Sequence, residues 1–183
     1  MSDLTDPRRV IGNIVQLGTI ESVDLGDATC RVRVGETVTD DICWIVQRAG
    51  ATRIWSPPTI GEQCILLCPE GDTENGIAVL GLFSDANPPP SSEDVDLIRF
   101  ADGALISYDA RSHRLVAQLP GGGKVRIDAP GGVTITGPVR IEGDVTIEGT
   151  ATASTDVIGG GKSLKSHKHL GVTAGGGVSG VPQ

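Results

Sequence analysis

The run Ser166-His167-Lys168-His169 is where residue type and spacing most suggest chemistry. On an extended segment side chains alternate faces, so His167 and His169 would point one way and Lys168 the other. Two imidazoles alone bind a transition metal poorly, because tetrahedral sites want four ligands and octahedral sites six, and the neighbouring sequence offers no Cys, Asp or Glu to complete the set. A threefold axis would complete it. Three chains, each giving two imidazoles, make six nitrogens, which suit an octahedral divalent metal such as iron better than tetrahedral zinc. The bland alternative is a stray His-x-His pair with no role, in a tail that runs on through the glycine-laden stretch from Leu170 to Gln183. The elements upstream of the pair bear on that choice.

Composition narrows the setting. The chain has 183 residues, enough for one ordinary domain or two small ones, with Gly 26 against an aromatic content of 3%. A rounded core leans on Phe, Tyr and Trp for buried area, so much of this chain is expected not to be one. The formal charge of -8 opposes a nucleic-acid partner, since neutralising phosphates needs clustered Lys and Arg. No apolar run is long enough to span a bilayer, and Met1-Ser2-Asp3-Leu4-Thr5-Asp6-Pro7 lacks the basic-then-apolar pattern of a signal peptide; assembly in the cytoplasm is the expectation. Cys30, Cys43, Cys64 and Cys68 lack CxxC spacing and read as small buried hydrophobes of a reducing compartment.

Taken in order, residues 1–17 read as an N-terminal helical segment: Asp6-Pro7 has the form of an N-cap followed by Pro at the first helical position, and Val10, Ile11, Ile14 and Leu17 recur at helical spacing. Over residues 18–86 the period changes to two. Residues 19–24 and 30–34 form a hairpin about Gly26-Asp27, followed by strands at 42–46, 62–69 and 76–83. Five short strands in this span predict a small closed barrel of the OB type. It lacks the basic groove and stacking aromatics of an oligonucleotide binder, so docking on another protein is the expected role. Residues 87–95, with Pro88, Pro89 and Pro90, read as a stiff linker. Beyond it, residues 97–100, 104–109 and 114–119 are further strands, with His113 a surface histidine in a turn.

The region 96–160 then becomes periodic in sixes from Gly131: 131–136, 137–142, 143–148, 149–154 and 155–160, on the pattern G-x-V-x-I-x. Each unit carries two apolar residues on one face, polar Thr, Arg or Glu on the other, and a glycine corner, and only stacking can bury that apolar face. In the fourth unit the pair shrinks to Ala151 and Ala153, so an interior would narrow toward the histidines. A left-handed β-helix of the hexapeptide acyltransferase kind needs about three hexads per coil and many coils, which five hexads cannot supply. An intertwined trimer needs only a short array, and it provides the threefold axis that the His pair requires.

At this point the chain resembles the baseplate assembly protein V family, the central spike of contractile-tailed phages. The resemblance rests on Trp55-Ser56-Pro57-Pro58, Gly61-Glu62-Gln63 and Pro69-Glu70-Gly71-Asp72 in the barrel, on the hexads, and on Ser163-Leu164-Lys165-Ser166-His167-Lys168-His169 with Gly171, Gly175 and Ser179-Gly180 in the last segment, 161–183. It implies an all-β homotrimer: an N-terminal OB barrel, an intertwined triple-stranded β-helix, and a metal-binding apex in which six histidines, His167 and His169 of each chain, hold one iron ion. The implied place is the tail baseplate of a virion, joined to the hub through the OB domain, and the implied act is mechanical piercing of a Gram-negative outer membrane during tail contraction. No enzyme activity, nucleic acid or small-molecule substrate is expected. Some spikes of this class carry a lysozyme domain, for which this sequence leaves no room between barrel and helix. The alternative function is a hexapeptide-repeat acyltransferase with His113 as general base, opposed by the coil count and by the position of His113 ahead of the repeats.

Overall fold

The computed structural model describes residues 12–168, Gly171 and Gly175. Most of the helical segment expected over 1–17, and His169 with nearly all of the glycine-rich tail, lie outside the described residues. Residues 12–14 are helical, and a strand has begun by Val15. That strand is reached earlier than the periodicity suggested because Val15, Gln16 and Leu17 pair across to Leu67, Leu66 and Ile65.

The described chain is all-β. β1 (Val15–Asp24), β2 (Thr29–Val34), β3 (Thr37–Val38), β4 (Ile42–Trp44), β5 (Gln63–Leu67) and β6 (Ile77–Leu82) form one sheet in the order β1-β5-β6-β4-β2-β3. A further pairing of β1 with β2 closes five of these strands into a barrel. β1 is long enough to pair on both sides because a register shift between Ile20 and Ser22 bends it. Closure is completed by the parallel pair β4–β6, Cys43 opposite Ile77, between strands that are distant in sequence. β3 is a two-residue addition to the edge of β2 that the alternation pattern did not signal.

Alternate residues point inward, and the interior is made of Ile20, Cys30, Val32, Ile42, Trp44, Cys64, Leu66, Cys68 and Ala78. So narrow a barrel fills with small and medium side chains, which explains how the domain folds with so few aromatics. Gly18 belongs to this packing as well: a Cβ there would overlap Val32 Cγ1. The polar Thr39 is buried and satisfied, its hydroxyl accepting the Val32 N–H at 3.0 Å and donating to the Asp40 carbonyl at 2.8 Å.

Three of the four cysteines are core residues as expected; Cys43 is not, because it alternates with the inward-facing Ile42 and Trp44 and therefore sits on the outer face of β4. Burial raises the Cys30 and Cys64 thiols to about 11. At pH 8 such a group is thiolate in only about one part in a thousand, and the thiolate is the nucleophile. A thiol reagent is therefore expected to label Cys43 rapidly and the other three only after denaturation. Rapid labelling of more than one thiol per native chain would contradict the packing.

Beyond the barrel, β7 (Asp96–Arg99), β8 (Leu105–Asp109) and β9 (Arg114–Gln118) form an antiparallel meander. Its turns fall where the sequence placed them, with Asp102 and Asp109 accepting backbone N–H groups of the residues that follow. The chain divides into two compact units, one through Arg126 and the other from Ile127 onward.

In the second unit the hexads make no ladder within the chain, and every residue from 117 to 155 is exposed. Val133, Ile135, Val139, Ile141, Val145 and Ile147 are 58–70% exposed. Arg140 and Glu142, two apart on the polar side, form an ion pair, as the alternation requires. Gly137, at a hexad corner, has φ +122, a conformation that L side chains rarely adopt.

Two details depart from the repeat as read. Residues 155–160 are not a fifth hexad, because Ile158–Gly159 (β10) turns back to pair with Lys162–Ser163 (β11). Conversely, residues 123–128, Gly-Lys-Val-Arg-Ile-Asp, repeat the pattern ahead of Gly131, with Val125 and Ile127 exposed like their counterparts. The insertion Ala129-Pro130 shifts the phase and hides this unit from a strict six-residue count.

Candidate metal centre

The β10–β11 hairpin brings the chain to His167. Its loop is the two residues Gly160 and Gly161, with φ of +56 and +77, the signs required of a type I′ turn that matches the twist of the flanking strands. The Leu164 N–H continues the pairing to the Val157 carbonyl at 2.9 Å.

Asp156 ties the two ends of this hairpin together. Its Oδ1 accepts the Val157 N–H at 2.8 Å and the Lys165 N–H at 3.1 Å. The neighbouring Ser163 hydroxyl, ahead of the backbone N–H groups, holds the Asp156 carboxyl below its ordinary value. The Ser163 hydroxyl oxygen accepts the Ser166 N–H and the Ser166 hydroxyl, both at 2.9 Å.

The Ser163 carbonyl, one atom group further along, accepts the His167 N–H at 3.1 Å and lies 2.9 Å from His167 Nδ1. A carbonyl only accepts, so Nδ1 is the donor in this contact. Metal-binding histidines are commonly set in this way, with one nitrogen held by a backbone carbonyl and the other directed to the metal. The donor chemistry at His167 thus fits a divalent transition metal. Among the described residues of one chain, no group of three or more His, Cys, Asp or Glu gathers to hold an ion. A metal centre at His167 would need ligands beyond the described residues of one chain. His113 lies elsewhere, exposed in the β8–β9 turn with φ +53.

Sequence patterning missed Asp156 and Ser163 because it counted 155–160 with the hexads. The signal was present: Gly159-Gly160-Gly161 between two short extended pieces marks a hairpin, and an Asp just before it is suited to capping backbone N–H groups.

At the other end of the chain, Ile45, Ile54, Trp55 and Ile60 remain exposed on the barrel, with Trp55 inclined against the buried Trp44 at a centroid separation of 5.7 Å. These residues form apolar surface beside the Trp55-Ser56-Pro57-Pro58 segment, the property of a docking face more than of a nucleotide groove.

The barrel also carries the family match: residues 16–83 correspond to the type VI secretion system/phage-baseplate injector OB domain. The chain is 35% identical over 140 residues to the spike protein of Escherichia phage P2, an alignment covering 76% of this chain and 65% of that protein. Both similarities are to the phage baseplate spike family. The chain spans just under two thirds of the length of the relative it matches.

Proposed function

We propose that the chain is one third of a homotrimeric central spike, carried at the baseplate of a contractile injection machine and driven mechanically through the outer membrane of a target cell. The barrel docks on the baseplate hub, the residues from about Val125 to Ser154 wind with two other copies into a triple-stranded β-helix, and His167 and His169 of the three chains hold one iron ion at the tip. The bound metal supplies cross-linking of three chains at a point; with all six positions filled by imidazole it has none open for a substrate. The role is structural, and no finding favours acyl transfer.

The observation that carries this reading is the exposed Val-x-Ile stripe of the hexads. Each such side chain stabilises by roughly 1.5–3 kcal/mol when fully buried, and a narrow strand with no neighbour in its own chain can bury it only against other copies. Similarity to the phage baseplate spike family supports the same assignment. Interlocked chains cannot leave one at a time, so dissociation is expected to be slow even in denaturant. Light scattering on the intact protein is expected to give three times the chain mass of 18.9 kDa. A stable, folded 18.9 kDa monomer would sink the proposal.

A further inference from the structure

We propose that the meander β7–β9 is a contact between copies of the chain in its own right: its apolar face packs against the same face of two other copies and aligns the chains ahead of the hexads. The inference rests on the trimer reading above, but its residues lie outside the repeats that carry that reading.

Strand pairing assigns the faces. Ile98 stands opposite Ile106 and Ile106 opposite Ala117, while Tyr108 stands opposite Leu115. Residues directly opposite point to the same face, and so do residues two apart on one strand, so these five form one apolar surface. Asp96, opposite Tyr108 at the sheet's corner, is the one charge in those rows, whereas Arg99, Ser107, Asp109 and Arg114 fall on the other face. An antiparallel sheet commonly covers its apolar face and leaves the polar one to water. Here the order is reversed: Ser107 and Asp109 are half-buried, while Ile98, Ile106, Tyr108 and Leu115 are 58%, 43%, 41% and 73% exposed. A contiguous apolar face left open in this way marks an interaction site.

Two observations point to other copies of the chain as its occupant. Leu115, Ala117 and Leu119 recur at every second residue, a spacing that Val125 and Ile127 and then the hexads take up again, so in sequence the stripe assigned to the trimer interior begins in β9. The hexads, moreover, cannot set their own register, because residues 137–142 and 143–148 both offer Val and then Ile two positions on, and a slip of six buries the same side chains. A face that does not repeat, just upstream, supplies what the repeats lack. Five side chains fall well short of the roughly 20–30 residues a side of a stable interface, so this face aligns chains that the hexads hold together.

Tyr108 is the only tyrosine of the chain, so full-length protein grown with 3-fluorotyrosine carries one 19F signal, and a soluble paramagnetic agent reads its exposure. In the intact protein the broadening is expected to be roughly eightfold weaker than the 41% exposure of one chain would give, as for a side chain less than about 5% exposed. Light scattering on Ile106→Asp with Leu115→Asp is expected to show loss of the single trimeric mass to a spread of masses, while Arg99→Asp with Gln118→Asp, on the opposite face, keeps it. A trimer in which the agent reached Tyr108 as freely as in the denatured chain would overturn the meander contact while the trimer reading stood; a monomeric wild type would overturn both. A meander variant that kept the single trimeric mass would overturn the contact too, and if that variant precipitates, Tyr108, read on the unaltered chain, decides alone. Shielding of Tyr108 that vanished in Ile45→Asp with Ile54→Asp would make the barrel surface the occupant and overturn the like-face contact.

Discussion

Replacing Ile135 and Ile141 together by Asp is expected to abolish the trimer. In the proposed β-helix each substitution sets three carboxylates around one axis, and burying ionised groups of like sign costs more than an apolar contact can offset. The loss repeats in every chain. Six Ile side chains leave the interior, each worth roughly 1.5–3 kcal/mol, so the summed effect is on the order of 10 kcal/mol, comparable to the whole stability of an ordinary domain. The result read is a shift from the trimeric mass to 18.9 kDa chains or to aggregate, while the barrel stays folded. Thr134→Asp with Thr146→Asp, on the polar side of the same units, serves as the control and is expected to leave the mass unchanged. If the Ile variant remained trimeric and as resistant to denaturant as the wild type, the apolar stripe would not be the interior, and the intertwined architecture would fall.

The second large effect concerns the metal. His167→Ala with His169→Ala is expected to reduce bound metal from one ion per three chains to none, without dissolving the trimer, because the hexads upstream still interlock. Ligand loss is complete in this variant: all six nitrogens go at once, and the remaining Asp and Glu lie outside the pair. Elemental analysis of wild type and variant gives the stoichiometry directly. Hydrogen exchange in residues 163–168 reports the local consequence, expected as faster exchange, since the ion no longer joins the three chains at that point. One metal per chain in the wild type would point to separate sites and defeat the shared axis. Unchanged metal content in the double variant would remove the histidines from the site altogether.

The barrel was legible in the sequence because its information is local and redundant. Short apolar runs such as residues 30–34 and 62–69, with Gly, Pro and Asp turns between, located five of the six strands of the barrel sheet, and the meander after the linker was equally readable. The family resemblance, carried by the Trp55-Ser56-Pro57-Pro58 segment and the Ser163–His169 motif, agrees with the comparison over residues 16–83 and with the phage P2 spike. The repeat was visible from Gly131, since a G-x-V-x-I-x pattern survives without any knowledge of what it packs against.

What only the tertiary structure decided is which residues with similar local patterns receive different partners. Val15 to Leu17 continue a helical spacing in sequence, yet they extend β1 because Ile65 to Leu67 lie ready to pair with them. Cys43 shares its composition and neighbourhood with the buried cysteines, but the phase of a three-residue strand puts it outside, and a period of two makes that phase invisible until Ile42 and Trp44 are seen to point inward. Barrel closure depends on β4 meeting β6 in parallel, a contact between segments more than thirty positions apart that no local pattern encodes. The assignment of Asp156 is of the same kind. Thr155 to Gly160 scans as one more hexad, yet it starts a hairpin in which Ile158 and Gly159 pair with Ser163 and Lys162 and the Asp156 carboxylate accepts the Lys165 N–H, which no repeat count can register.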